Sequence, residues 1–196
     1  MPDIRKIPWL AVALLLALGL LGFQYRQNRE LRLANADLER RSFVPYVGMW
    51  LPEIWTKTLD GVPIRLGTPP AEYQVLYFFA PACAPCRRSA SAVREFGQRL
   101  NRDPRVQMVG VANGEPGAVR RDVAGQEFRF PIATLSDDRG LGLFKANALP
   151  LLIVADADGQ VKFWHGGAIE NRAPLDDALA AMGMAPGTGE PIVIKP

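Results

Sequence analysis

The chain's only two cysteines, Cys83 and Cys86, stand with two residues between them, flanked by an apolar run and an amphipathic one, and this limits the local fold more than any other feature. Tyr73-Gln74-Val75-Leu76-Tyr77-Phe78-Phe79 is aromatic and β-branched without clean alternation, the pattern of a strand covered on both faces. After the cysteines, Val93, Phe96 and Leu100 recur at helical spacing, with Arg87, Arg88, Arg94, Gln98 and Arg99 on the opposite face. A helix is therefore expected to begin near Cys83. A thiolate there is stabilised by unpaired backbone N–H groups, by the positive end of the helix macrodipole, and by Arg87 and Arg88. Cys83 is expected to be the more reactive sulfur of a redox dithiol.

Three other uses of the pair fit less well. Structural zinc needs four ligands, and two cysteines with His165 as the only histidine fall short without carboxylates or a second chain. Two buried spectator cysteines are poorly matched to Pro85 between them, which is turn and helix-start chemistry. An inert disulfide closing so short a loop adds little chain entropy and is easily reduced, which makes it a redox pair again.

With 196 residues, 48% hydrophobic and 22% charged, the chain suits one modest domain with an appendage. A net charge of +3, with arginines spread rather than gathered into a stripe, gives no sign of a nucleic-acid site. The appendage is Ile7 to Phe23, 17 uncharged apolar residues between Arg5-Lys6 and Arg26. As a helix it would span about 26 Å against a bilayer core of about 30 Å, with Trp9 and Tyr25 as interfacial anchors, so a single transmembrane helix is expected. Ala34-Asn35-Ala36 has the form of a signal-peptidase site but lies far beyond the apolar run, across several arginines, which favours an uncleaved anchor. Arg26, Arg29, Arg32, Arg40 and Arg41 outnumber the basic residues ahead of the anchor, so charge counting alone points the domain inward; the rule applies poorly to long domains. Orientation stays open at this level.

The reading divides the chain into an anchor over 1–25, a charged helical stalk and linker over 26–45, a globular domain over 46–185 and a loose Gly- and Pro-rich tail over 186–196. Leu31, Ala34 and Leu38 could form a short coiled-coil seam, but a solvated spacer helix is the simpler reading. Within the domain, Ile54 to Thr58 and Val62 to Leu66 flank the turn Asp60-Gly61. A strand over Val106 to Ala112, a helix from Glu115 to about Phe128, an extended Pro131 to Leu135 and a short helix Gly140 to Ala146 follow. Leu151 to Ala155 and Gln160 to Trp164 form a second hairpin around Asp158-Gly159, and Pro174 to Met184 a last helix with Pro in its first turn. This order describes an α/β sandwich with a mixed sheet.

The arrangement resembles the thioredoxin superfamily, and within it the membrane-anchored TlpA/ResA-like thiol-disulfide oxidoreductases. The residues that carry the likeness are Val47-Gly48 with Leu51-Pro52, Leu59-Asp60-Gly61, the strand into Cys83-Ala84-Pro85-Cys86, Val109 to Glu115, and Leu149-Pro150 before Leu151 to Asp158-Gly159. The resemblance implies a thioredoxin-like fold and catalysis by Cys83 and Cys86. It also implies a cis Pro150 facing the dithiol, with the preceding Leu149 backbone available to a substrate strand. It further implies disulfide-containing or dithiol protein substrates, a membrane-bound thiol donor or acceptor, no cofactor, and a domain in the periplasm held by a single pass through the inner membrane. Substrates of the kind relatives serve, apocytochrome c or disulfide-rich dehydrogenases, are not distinguished.

Three positions depart from the pattern. Ala82 stands where many relatives carry Trp, Tyr77 where thioredoxin-type domains bury an acid, and Ser89 where ResA-like relatives carry Glu. Glu115 and Glu127 are candidate substitutes for the missing acid. Without a base near Cys86 the resolving attack should be slow, and an oxidising poise or a narrow substrate range is expected. Copper delivery through Cys83, Cys86 and His165, and a redox-inactive adaptor role, are the competing functions. Peroxidase chemistry is disfavoured because the Pro and Thr that usually precede a peroxidatic cysteine are absent before Cys83.

Overall fold

A computed structural model of the chain describes residues 7–135 and 138–186; the side chains of residues 7, 8, 10, 33–42 and 138 lie outside that description. The expected tail beyond residue 186 therefore lies outside the described residues, as do Arg5 and Lys6 and the side chains of the seam positions Ala34 and Leu38. The chain forms two compact units, Met1–Phe43 and Val44–Pro196.

The first unit contains α1 (Ile7–Phe43), one continuous helix where the sequence suggested a span and a separate stalk. Nothing in Arg26 to Arg41 interrupts it: no Pro or Gly stands between Gly22 and Phe43. The expected transmembrane span is not shown at this level. Among the described residues no helix is long and apolar enough to cross a membrane. The run Ile7 to Phe23 is followed at once by Gln24, Arg26, Gln27 and Asn28, and the side chains of Ile7, Pro8 and Leu10 lie outside the description.

The second unit is built on the order β1 (Ile54–Lys57), β2 (Pro63–Leu66), β3 (Tyr73–Phe79), α2 (Ala84–Leu100), β4 (Val106–Ala112), α3 (Pro116–Val123), β5 (Ile132–Thr134), α4 (Asp138–Leu143), β6 (Leu151–Asp156), β7 (Val161–Gly166) and α5 (Ala173–Ala181). β1 and β2 pair as an antiparallel hairpin, and the other five strands form one sheet in the order β5-β4-β3-β6-β7. The central strand β3 runs parallel to β4 and antiparallel to β6, so the sheet is mixed. Six of the seven β3 residues are buried, which explains their lack of alternation.

Alternate β3 side chains enter two cores. Val75, Tyr77 and Phe79 pack beneath α2 and α5 with Val93, Phe96, Leu100, Leu152 and Ile169. Leu76 and Phe78 pack on the other face with Leu66, Val109, Phe144 and Ile153. Gln74, the one polar residue of the strand, is buried but satisfied: it accepts from Gly67 N–H at 2.8 Å and donates to Arg65 O at 2.9 Å and Gln107 Oε1 at 2.7 Å. Those bonds tie the β1–β2 hairpin to the sheet.

Three helices are shorter than, or displaced from, the sequence expectation. α3 stops at Val123 rather than near Phe128, because Glu127 takes a left-handed φ of 50° and Phe128 and Phe130 leave the helix to stack with ring centroids 4.9 Å apart. α4 covers Asp138–Leu143 rather than Gly140 to Ala146, with Lys145 at φ 56° reversing the chain. α5 ends at Ala181, ahead of Met182 and of Gly183 at φ 68°.

Candidate active site

The connection from β3 into α2 turns sharply at Pro81-Ala82. Ala82 adopts φ 60°, a left-handed conformation that a bulky or β-branched side chain rarely takes. Cys83 then serves as the N-cap of α2, with extended φ −76° and ψ 106°, and Cys86 N–H donates to its Sγ at 3.2 Å. Pro85 occupies the first turn, where its missing N–H costs nothing. The helix start expected from the sequence lies at this sulfur.

Cys83 and Cys86 are joined as a disulfide with Cα atoms 5.2 Å apart. Their exposures differ: Cys83 is half-buried, whereas Cys86 is buried in the core beneath α2. The Leu149–Pro150 peptide is cis, and Leu149 O lies 4.0 Å from Cys83 Sγ. Strand β6, which follows, pairs directly with β3, and this pairing brings a segment sixty-odd residues away back to the dithiol.

Arg87 and Arg88 are both exposed in the first turns of α2. The Arg87 backbone N–H donates to Cys83 O at 3.1 Å. Arg88 is held by an ion pair with Glu170 at 3.2 Å, so much of its charge is answered locally rather than directed at the sulfur. Glu170 has no sequence signal of this role. Its place follows from the chain leaving β7 across the start of α2.

The two proposed substitute acids are not at the site. Glu115 is the exposed residue preceding α3, and Glu127 is an exposed partner of Arg94 at 3.6 Å. Both stand at surface turns, where a carboxylate stays solvated. Ser89, in the position of the relatives' Glu, is fully buried; its hydroxyl donates to Pro85 O at 3.0 Å and accepts from Ile169 N–H at 2.9 Å. The second of these bonds clamps the segment after β7 onto α2.

Tyr77 lies in the core with its hydroxyl oxygen buried and without a hydrogen-bond partner. Burial pushes its phenol well above the usual range, and the Ser89 hydroxyl offsets part of that. His165 Nε2 is likewise buried and unpartnered. Among the described residues no group of three His, Cys, Asp or Glu side chains converges to hold a metal ion.

A mixed five-stranded sheet, a helix capped by the first cysteine of a C-x-x-C disulfide, and a cis proline beside it define a thioredoxin-like redox protein. Residues 47–164 match the AhpC/TSA family, more than half of the chain, and the protein belongs to that family. Membership carries oxidoreductase thiol chemistry in general terms. No curated protein matches the chain by sequence. Among solved structures, a Chlorobium tepidum protein assigned as the thiol:disulfide interchange protein DsbE is 22% identical with TM-score 0.61, over 70% of this chain and 99% of that one. A secreted Mycobacterium tuberculosis disulfide oxidoreductase homologous to E. coli DsbE is 23% identical with TM-score 0.53, over 65% of this chain and 95% of that one. Peroxidoxin BcpB from Mycobacterium tuberculosis is 19% identical with TM-score 0.59, over 70% of this chain and 96% of that one. At such identities the likeness shows the fold.

Proposed function

We propose that the chain is a membrane-anchored thiol-disulfide oxidoreductase of the TlpA/ResA type, exchanging disulfides with protein substrates in the periplasm. The observation that carries the reading is the asymmetry of the pair: Cys83 is half-buried and its Sγ receives an N–H of its own helix, while Cys86 is buried in the core. An anionic sulfur at Cys83 keeps that N–H bond, and the helix end favours its charge. Reduced Cys83 attacks a substrate disulfide, forming a mixed disulfide and releasing one substrate thiolate. Cys86 then attacks Cys83 Sγ, closing the Cys83–Cys86 bond and releasing the second thiolate. Run backwards, the pair donates its disulfide; a membrane-bound thiol partner resets it.

An extended substrate segment would lie along Leu149, whose carbonyl is beside the attacked sulfur, with Leu149 and Pro150 as the substrate-binding residues. Anchorage rests on α1, where Leu14, Leu15, Leu16, Leu18, Leu20 and Leu21 are all more than half exposed, so apolar surface surrounds the helix. The periplasmic placement rests on the resemblance and on the oxidising space such a pair would serve.

The test is insulin reduction by the full chain, beside Cys83→Ala and Cys86→Ala. Turnover is expected only with both cysteines, and Cys86→Ala should trap substrate on Cys83. Equal rates for all three would instead indicate the redox-inactive adaptor, and tight Cu(I) binding lost in His165→Ala would indicate copper delivery. Peroxide consumption faster than disulfide exchange would support the peroxidase reading that the likeness to a peroxidoxin raises.

A further inference from the structure

The two sides of the site come from elements far apart in the chain: the cysteines begin α2, and Leu149-Pro150 leads into β6. Leu149 O stands 4.0 Å from Cys83 Sγ, and a disulfide sulfur has no proton to donate across that gap. The contact does not by itself hold the two sides together.

Residues 167–170, between β7 and α5, supply the tie. Gly167 N–H donates to Pro150 O at 2.8 Å, and two residues further on Ile169 N–H donates to Ser89 Oγ at 2.9 Å. Ser89 Oγ in turn donates to Pro85 O at 3.0 Å, so the strap ends on the proline between the two cysteines. Glu170 adds its ion pair to Arg88 on the outer side. One strap thus grips Pro150 at one end and the dithiol turn at the other.

Its fastenings are unequal. The Arg88–Glu170 pair is exposed, where an ion pair contributes little. Ile169 and Ser89 are both buried, so the Ile169 amide has no water to turn to and depends on the Ser89 hydroxyl. A serine inside a helix commonly bonds the carbonyl four residues back; Ser89 does so and also receives an N–H from a residue 80 positions away.

We propose that Ser89 is a positioning residue that sets the spacing between Pro150 and Cys83, and with it the affinity for an extended, disulfide-bearing protein segment. The inference rests on the exchange reading. A polypeptide laid along Leu149 spans both sides of the site and feels their spacing, whereas a small disulfide need reach only Cys83 Sγ. Ser89 acts through the strap and not on the reacting sulfurs.

The full chain in detergent is assayed for insulin reduction with dithiothreitol as reductant and, after reduction, for reaction with dithiobis(nitrobenzoate). In Ser89→Ala, KM for insulin should rise about tenfold or more while kcat stays within about twofold of the parent. Its reaction with the small disulfide should also stay within about twofold. Amide exchange should quicken at Ile169 while β3 keeps its protection, which separates a released strap from a loosened domain. Gly167, at φ 102°, holds the other end in a conformation that favours glycine, and a Cβ there would meet nothing within 4 Å. Gly167→Ala therefore strains the strap through its backbone and should reproduce the same split; it decides if circular dichroism shows Ser89→Ala to be misfolded. An unchanged KM for insulin, or both disulfides slowed by one common factor, overturns the role of Ser89 and leaves exchange intact. A parent that reacts with neither disulfide defeats the exchange reading instead.

Discussion

The Cys86 backbone N–H points at Cys83 Sγ at 3.2 Å, so the helix that carries one cysteine holds the other. The bond uses one of the orphan donors at a helix start, and it strengthens when the sulfur is charged. The reduced pair is therefore stabilised as Cys83 thiolate and Cys86 thiol.

A thiolate-stabilised dithiol is a stronger oxidant than one without such support. Equilibration of the full chain with glutathione should give a reduction potential above thioredoxin's, about −270 mV. A potential as low as thioredoxin's would reject the oxidising poise.

Gly97 sits inside α2, where helix propensity alone favours alanine by about 1 kcal/mol. The structure predicts the opposite sign. A Cβ there would lie 2.4 Å from Phe130 Cδ1, on a buried ring already stacked against Phe128. Gly97→Ala should destabilise the domain by about 1–3 kcal/mol in urea denaturation, since overpacking outweighs propensity.

Asp156 closes the β6–β7 hairpin. Burial opposes its ionisation, but Lys162 at 2.8 Å and the N–H groups of Gln160 and Asp158 outweigh it and hold its carboxyl below the usual range. A lowered folded-state value stabilises the fold above the unfolded carboxyl's pKa, and the gain is lost as pH falls through the folded value. Asp156→Ala should cost about 1–2 kcal/mol in chemical denaturation at pH 7, with the difference shrinking below about pH 4.

The strands and the dithiol helix were legible because their signals are local: continuous apolar residues for β3, helical spacing for α2, Asp-Gly turns for the hairpins. Beyond the cysteines local signals stop, and Leu149 and Pro150 were named at the dithiol only through the family resemblance. The contact of Leu149 O with Cys83 Sγ depends on β6 pairing with β3. Glu115 and Glu127 were drawn in as acids by residue type alone, while the clamp from Ser89 to Ile169 joins side chain to backbone and leaves no mark in composition. The early end of α3 was missed because Phe128 was read as the end of the helix, whereas it lies beyond the turn at Glu127 and stacks on Phe130.

The central claim is that the N-capping position activates Cys83. Iodoacetamide alkylation of the reduced chain, followed against pH with Cys86→Ala as reference, measures it directly. The rate should reach its plateau well below the ordinary thiol range near pH 8.5. A midpoint at or above that value, or no reaction at Cys83 at any pH, would contradict the account.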